Sequence, residues 1–200
     1  MFIAQPVIQY DLNNDIRVVS EMAAGLVPYV YEQELYGPMP PNMPRLTFGG
    51  LLMRLHRLHA LRDRLSPEQQ AKVDAAQAAL DKARKDWPVA FEGKLEREID
   101  ARLKTLGGLL QECRDDQRHC GEAYPSEIEK RVMLEHLADA AQAQNTLTDV
   151  QKAGIKGFDT SMRGYAQESA FIWDERLQPA YPRSPFWFLY MRPKAASRNS

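Results

Sequence analysis

Phe91, Leu95, Ile99, Leu103, Leu106, Leu110 and Cys113 recur at intervals of three and four residues, the most regular apolar stripe in the chain. Only an α-helix brings that spacing onto one face. A helix of about 26 residues is about 40 Å long, and its stripe must be covered along that length by other helices. Lys94–Glu98, Glu98–Arg102 and Asp100–Lys104 fall at i,i+4 and read as ion pairs on the opposite, solvated side, worth ~0.3 kcal/mol each. Gly107-Gly108 interrupts the helix, each glycine costing about 1 kcal/mol relative to Ala; the pair marks a bend or the close approach of a neighbour.

The covering helices carry their own start signals. Asn13, Asn14 and Asp15 precede Ile16, Val19, Ala23, Leu26 and Val30, with a kink or split expected at Pro28. Pro38, Pro40, Pro41, Pro44 and Gly37 exclude regular helix from 36–48, leaving a loop or a wide hairpin with Tyr36 and Leu46 on its arms. Thr47 is placed to cap a helix bearing Leu51, Leu52, Leu55, Leu58, Leu61 and Leu65. Ser66-Pro67-Glu68-Gln69 combines a capping box with Pro at the first helical position, ahead of Val73, Ala76, Leu80, Ala83 and Trp87. Asp86 is a candidate cap for the long helix. Residues 115–125 read as a loop, Ser126 with Glu129 as a second box, and Thr148 with Gln151 as a third, opening a helix with Val150, Ala153, Phe158, Met162 and Tyr165.

From Ala170 the pattern changes. Phe171–Trp173 and Phe186–Tyr190 are β-capable aromatic runs set among Pro179, Pro182 and Pro185. At least one short strand is expected there, paired with 7–10 or 34–46. The expected fold is mainly α: an antiparallel, bundle-like array of five or six helices with a minor β element near the termini. It forms a single helical domain over 1–193, with a frayed tail over 194–200.

Apolar residues make up 44% of the 200-residue chain, enough for a sizeable core. The 26 basic and 27 acidic groups argue against general nucleic-acid affinity. Basic charge is concentrated in 47–66, with four Arg and one Asp, and in 179–200, with Arg183, Arg192, Lys194 and Arg198 and no acid. The longest apolar run, Phe186–Met191, is far short of the ~20 residues that span a bilayer, so no membrane association is expected. Two cysteines are too few for a disulfide framework and no signal-peptide pattern is present. Reduced thiols in a cytoplasmic protein are expected, with Cys113 in the core stripe and Cys120 exposed.

Candidate sites are sparse. His56 and His59, three apart, and Glu135-His136 are weak metal candidates; Cys113, His119 and Cys120 miss the usual zinc spacing. No phosphate-binding glycine loop and no nucleophile elbow is present. Arg54, Arg57, Arg62 and Arg64 give one helix a basic side, which favours pairing with acidic neighbours over phosphate contact. Residues 181–194 hold five aromatics and three cations. They suit closure of the core or a partner-binding surface through Tyr181, Arg183, Phe186, Trp187, Tyr190 and Arg192. The sequence therefore reads as a non-catalytic helical scaffold or adaptor with a protein partner or a second copy of itself, without a cofactor. The alternatives are a nucleic-acid-associated protein using Arg54, Arg57, Arg64 and Lys194, and an enzyme or metal or cofactor carrier with its site in the bundle core.

Overall fold

The computed structural model describes residues 9–194, and the N-terminal half of the 7–10 segment and all of 195–200 lie outside it. Among the described residues the chain forms eight α-helices: α1 (Leu12–Ala24), α2 (Leu26–Tyr31), α3 (Phe48–Ala60), α4 (Pro67–Asp86), α5 (Pro88–Asp115), α6 (Gln117–Glu127), α7 (Glu129–Ala143) and α8 (Asp149–Tyr165). Two three-residue strands, β1 (Ala166–Glu168) and β2 (Met191–Pro193), pair antiparallel, with Gln167 opposite Arg192. The protein is thus mainly α with a minor β element. No helix among the described residues is long and apolar enough to cross a membrane.

Local chemistry sets several helix ends where the sequence puts them. Thr47 Oγ1 accepts the Gly50 N–H, and Ser66 with Gln69 and Thr148 with Gln151 form complete capping boxes. The proline-rich segment closes as a wide hairpin through paired backbone bonds between Gly37 and Leu46. The first helix breaks at Gly25 and not at Pro28, because Pro28 falls in the first turn of α2, where its missing N–H leaves no bond unmade. The expected Asp86 cap is absent, and Trp87 occupies that position before Pro88.

Residues 115–125 are not a loop. Asp116 caps α6 by accepting the Arg118 and His119 N–H groups, and the helix runs past Pro125. The Ser126–Glu129 box is not formed, and Ser126 Oγ donates to the Ala123 carbonyl instead. Cys120 is buried and disulfide-bonded to Cys113, correcting the expectation of free thiols. The bend at Asp116 folds α6 back on α5 and brings the two cysteines together.

α5 is the central strut and packs against α4, α6, α7 and α8. Its stripe is buried as expected except for Leu103, which is half-buried. The residues read as its solvated side are buried too: Lys94 and Glu98 are fully enclosed and Arg102 nearly so. Periodicity sees one covered face, whereas a helix ringed by neighbours buries more than one. Glu98 accepts the Gly49 N–H at 3.1 and 3.2 Å and an Arg102 N–H at 2.9 Å, and Arg102 also donates to Thr47 Oγ1. Lys94 donates to the Tyr29 and Glu34 carbonyls and lies 3.7 Å from the centre of the Tyr29 ring. Gly107 and Gly108 face open space and admit no close neighbour. Val150, assigned to an apolar stripe, is exposed; Phe158 and Met162 carry the contact of α8.

The C-terminal aromatic run is not a strand. Trp187–Tyr190 form a 3₁₀ turn, and the strand that follows pairs with β1 and not with an N-terminal segment. Tyr181, Phe186, Phe188 and Tyr190 are buried. The Tyr124 hydroxyl donates to the Phe188 carbonyl and the Tyr190 hydroxyl to the Tyr181 carbonyl, clamping the segment onto α6 and itself. The amino-terminal end does reach this region, where the Tyr10 N–H donates to Asp174 at 2.7 Å.

A methyl group on Gly49 would sit 2.7 Å from Glu98 Oε1 and 3.0 Å from Met133 Cβ. Gly49→Ala is expected to cost about 2–4 kcal/mol by overpacking and displacement of the buried carboxylate. Gly107→Ala meets nothing within 4 Å and is expected to gain up to about 1 kcal/mol. Urea unfolding of the two variants checks both signs.

Candidate functional site

α1 and α3 lie side by side, and their facing turns carry charge. Asp15, on the buried side of α1, reaches Arg54 Nε and Arg57 Nε of α3 at 3.2 Å each. The side chains of Asp15 and Arg57 are 7% and 8% exposed. Arg57 Nη2 also stands 3.6 Å from Glu129 at the start of α7. These are charge contacts at oblique angles, so among the described residues Asp15 Oδ2, Arg54 Nε, Arg57 Nε and Arg57 Nη2 have no aligned hydrogen bond. The hydroxyls of Tyr10 and Tyr181 are buried and unpartnered as well, and both feel the charges of Asp15 and Arg57. Burial pushes the Tyr181 phenol up to about 12 and raises that of Tyr10 further. Desolvation lowers Arg54, whereas at Arg57 the same penalty is outweighed by Tyr181, Asp15 and Glu129.

Tyr10, Asp15, Arg54, Arg57 and Glu129 border a cavity of about 540 Å³ between α1, α3, the α6–α7 junction and the C-terminal segment. Ile172, Trp173 and Leu177 form an apolar wall, and Asp11, Glu122 and Asp174 line it with Arg192. The Trp173 indole N–H donates to the Pro125 carbonyl, which fixes the ring. Asp174 is held well below the usual carboxylate range by Arg176, helped by the Tyr10 N–H.

The structure brings together part of the metal-candidate set. His56 and His136 pack with ring centres 4.5 Å apart, against Tyr181 and Phe186. His56 Nε2 bonds the Ala180 carbonyl, but His136 Nε2 is buried without a partner. His59 turns away to Gln77, and Glu135 is taken by Arg131. Among the described residues no three His, Cys, Asp or Glu side chains converge on a metal position.

Of the basic set, Arg54 and Arg57 are turned inward to Asp15, whereas Arg64 and Lys194 are exposed, Arg64 with a long contact to the Arg176 carbonyl and Lys194 donating to the Gly164 carbonyl. Of the aromatic partner set, Tyr181, Phe186 and Tyr190 are core, while Trp187 is half-buried beneath Arg163. Arg183 and Arg192 are exposed, and Arg192 lines the cavity. Tyr10, Asp15, Glu129 and Trp173 were not singled out by the sequence. A signal existed for Asp15, which shares a helical face with Val18, Val19 and Met22.

Burial, with His56 and Arg57 nearby, holds His136 down to about 3. The unfolded chain binds a proton near pH 6.5 that the buried ring refuses until about pH 3, so stability is complete above 6.5 and declines as pH falls through that window. Between pH 6.5 and 5 the loss is about 2 kcal/mol. Urea unfolding at pH 7 and 5 should show that loss in the native chain and not in His136→Leu; equal losses would exclude this role for His136.

The site stands on its own geometry: no family model, no curated protein and no solved structure matches this chain.

Proposed function

We propose that the protein is a non-catalytic helical binding protein whose cavity takes a small polar molecule. One observation supports this above the rest. All seven buried side-chain nitrogens and oxygens without a partner among the described residues belong to Tyr10, Asp15, Arg54, Arg57, His136 and Tyr181. Arg54, Arg57, Asp15 and Tyr10, which hold five of the seven atoms, line the cavity, while Tyr181 and His136 do not line it and pack together with His56. Buried polar groups are normally bonded, and each exception costs about 1–3 kcal/mol. Elsewhere the interior is satisfied: Arg131 donates to both Asp159 oxygens and to Glu135, and Glu98 accepts from the Gly49 N–H and from two Arg102 nitrogens. Unmatched donors gathered at one cavity are what a site for an acceptor-bearing guest requires. The Cys113–Cys120 bridge favours an oxidising compartment over the cytoplasm.

The adaptor reading keeps support from a different place. Val27 and Tyr31 share a face of α2 and are 53% and 51% exposed, and Tyr31 stacks edge-on against Trp87 at 4.4 Å. Val89, beyond it, is 81% exposed. Exposed Trp and Tyr beside aliphatic residues are the composition of an interaction surface.

Tyr181→Phe removes an unpartnered hydroxyl, so the melting temperature should hold or rise by about 2–4 °C, the equivalent of up to ~1 kcal/mol in a chain of this size. A fall of that size would show that the hydroxyl is structural and would remove it from the unsatisfied set that supports the cavity reading. For the second reading, Trp87→Ser is expected to abolish self-association in sedimentation equilibrium with little change in melting temperature; an unaltered monomer in both chains excludes the homo-oligomer.

A further inference from the structure

We propose that the guest of the cavity is an α-amino acid or a molecule presenting the same adjacent ammonium and carboxylate; this rests on the binding reading above. The buried end of the cavity is rich in donors. Arg54 Nε, Arg57 Nε and Arg57 Nη2 carry N–H groups with no aligned acceptor, and the Arg57 guanidinium is held by charge contacts alone through those atoms, so a small rotation turns it to a guest. A carboxylate, with up to four acceptor positions in one plane, matches a guanidinium fork.

The other lining groups oppose a simple anion. Asp11, Asp15, Glu122, Glu129 and Asp174 face three arginines around the cavity. Arg118 pairs with Glu122 and Arg176 with Asp174 from outside it, so the ensemble is neutral with its charges separated. Asp11 is committed to capping α1, and Asp174 to Arg176 and the Tyr10 N–H. Among the described residues Glu129 has only the 3.6 Å contact to Arg57, and its side chain is 38% exposed. It is the carboxylate free to receive a cation.

The spacing selects the guest. Because the Arg57 and Glu129 charges are 3.6 Å apart, a guest that meets both must carry its own opposite charges on neighbouring atoms. An α-amino acid does so; a longer ω-amino acid separates them too far. Its side chain then lies against Ile172, Trp173 and Leu177. A cavity of about 540 Å³ accommodates such a molecule.

Isothermal titration of the full chain with L-norvaline, pentanoate and butylamine separates the possibilities. The latter two are norvaline without its ammonium and without its carboxylate. Norvaline is expected to bind at least tenfold more tightly than either half, and Glu129→Gln to reduce it to the level of pentanoate. Pentanoate equal to norvaline in the native chain overturns the amino-acid inference while leaving a site for an acceptor group. Butylamine equal to norvaline, or no heat from any of the three at about 10 mM, a ligand range that detects millimolar affinity, overturns both. The three-ligand comparison needs no variant, so a misfolded Glu129→Gln does not affect it.

Discussion

The Glu98 carboxylate, enclosed in the middle of α5, fixes where α3 begins. It receives the Gly49 N–H at the first turn of α3, and the positive end of that helix dipole stabilises it. Arg102, one turn further along α5, bonds both Glu98 and the Thr47 cap. A charge so deeply buried is tolerated only when paired and fully bonded, and removing one member of such a group typically costs about 3–5 kcal/mol. Gly49 is glycine because any side chain would occupy the space of that carboxylate and of Met133 on α7. One ionised group therefore locks α3, α5 and α7 in mutual register.

The cavity depends on that register. α3 leaves Glu98 and presents Arg54 and Arg57 one and two turns later, on the side that meets Asp15 of α1 and Glu129 of α7. The two ends of α3 contrast. At the first, every buried charge is bonded; at the second, charges attract without aligned hydrogen bonds, and two tyrosine hydroxyls lack partners. A fold able to satisfy Glu98 completely is able in principle to satisfy Arg57, so the difference marks the second end as the place where stability is yielded to something else.

Much of the framework was legible from local chemistry. Thr47, Ser66–Gln69 and Thr148–Gln151 cap as their residue types dictate, because a cap depends on atoms within three residues of one another. The failures have causes of another kind. Asp116 outcompetes the Ser126–Glu129 box, carrying α6 through a segment that composition assigns to a loop. Lys94, Glu98 and Arg102 have the spacing of solvated ion pairs, and nothing within α5 announces that α3 and the 29–34 segment close over them. The aromatic run at 186–190 alternates like a strand, but Tyr124 binds it as a turn.

The candidate site was less legible than the fold. Arg54 and Arg57 stood out as a basic helix face, but which way that face turns depends on Asp15, about forty residues earlier. By itself the sequence determined the helical content, most helix starts, the apolar faces and the change of pattern at the aromatic C-terminal segment. These follow from periodicity and short-range hydrogen bonding. Only the tertiary structure decided which charges are buried, that Cys113 and Cys120 meet, and that Tyr10, Asp15, Arg57, Glu129 and Trp173 surround one cavity. The reason is physical. A side chain's type and helical phase set the direction in which it points, but its dielectric surroundings and partners come from segments distant in sequence.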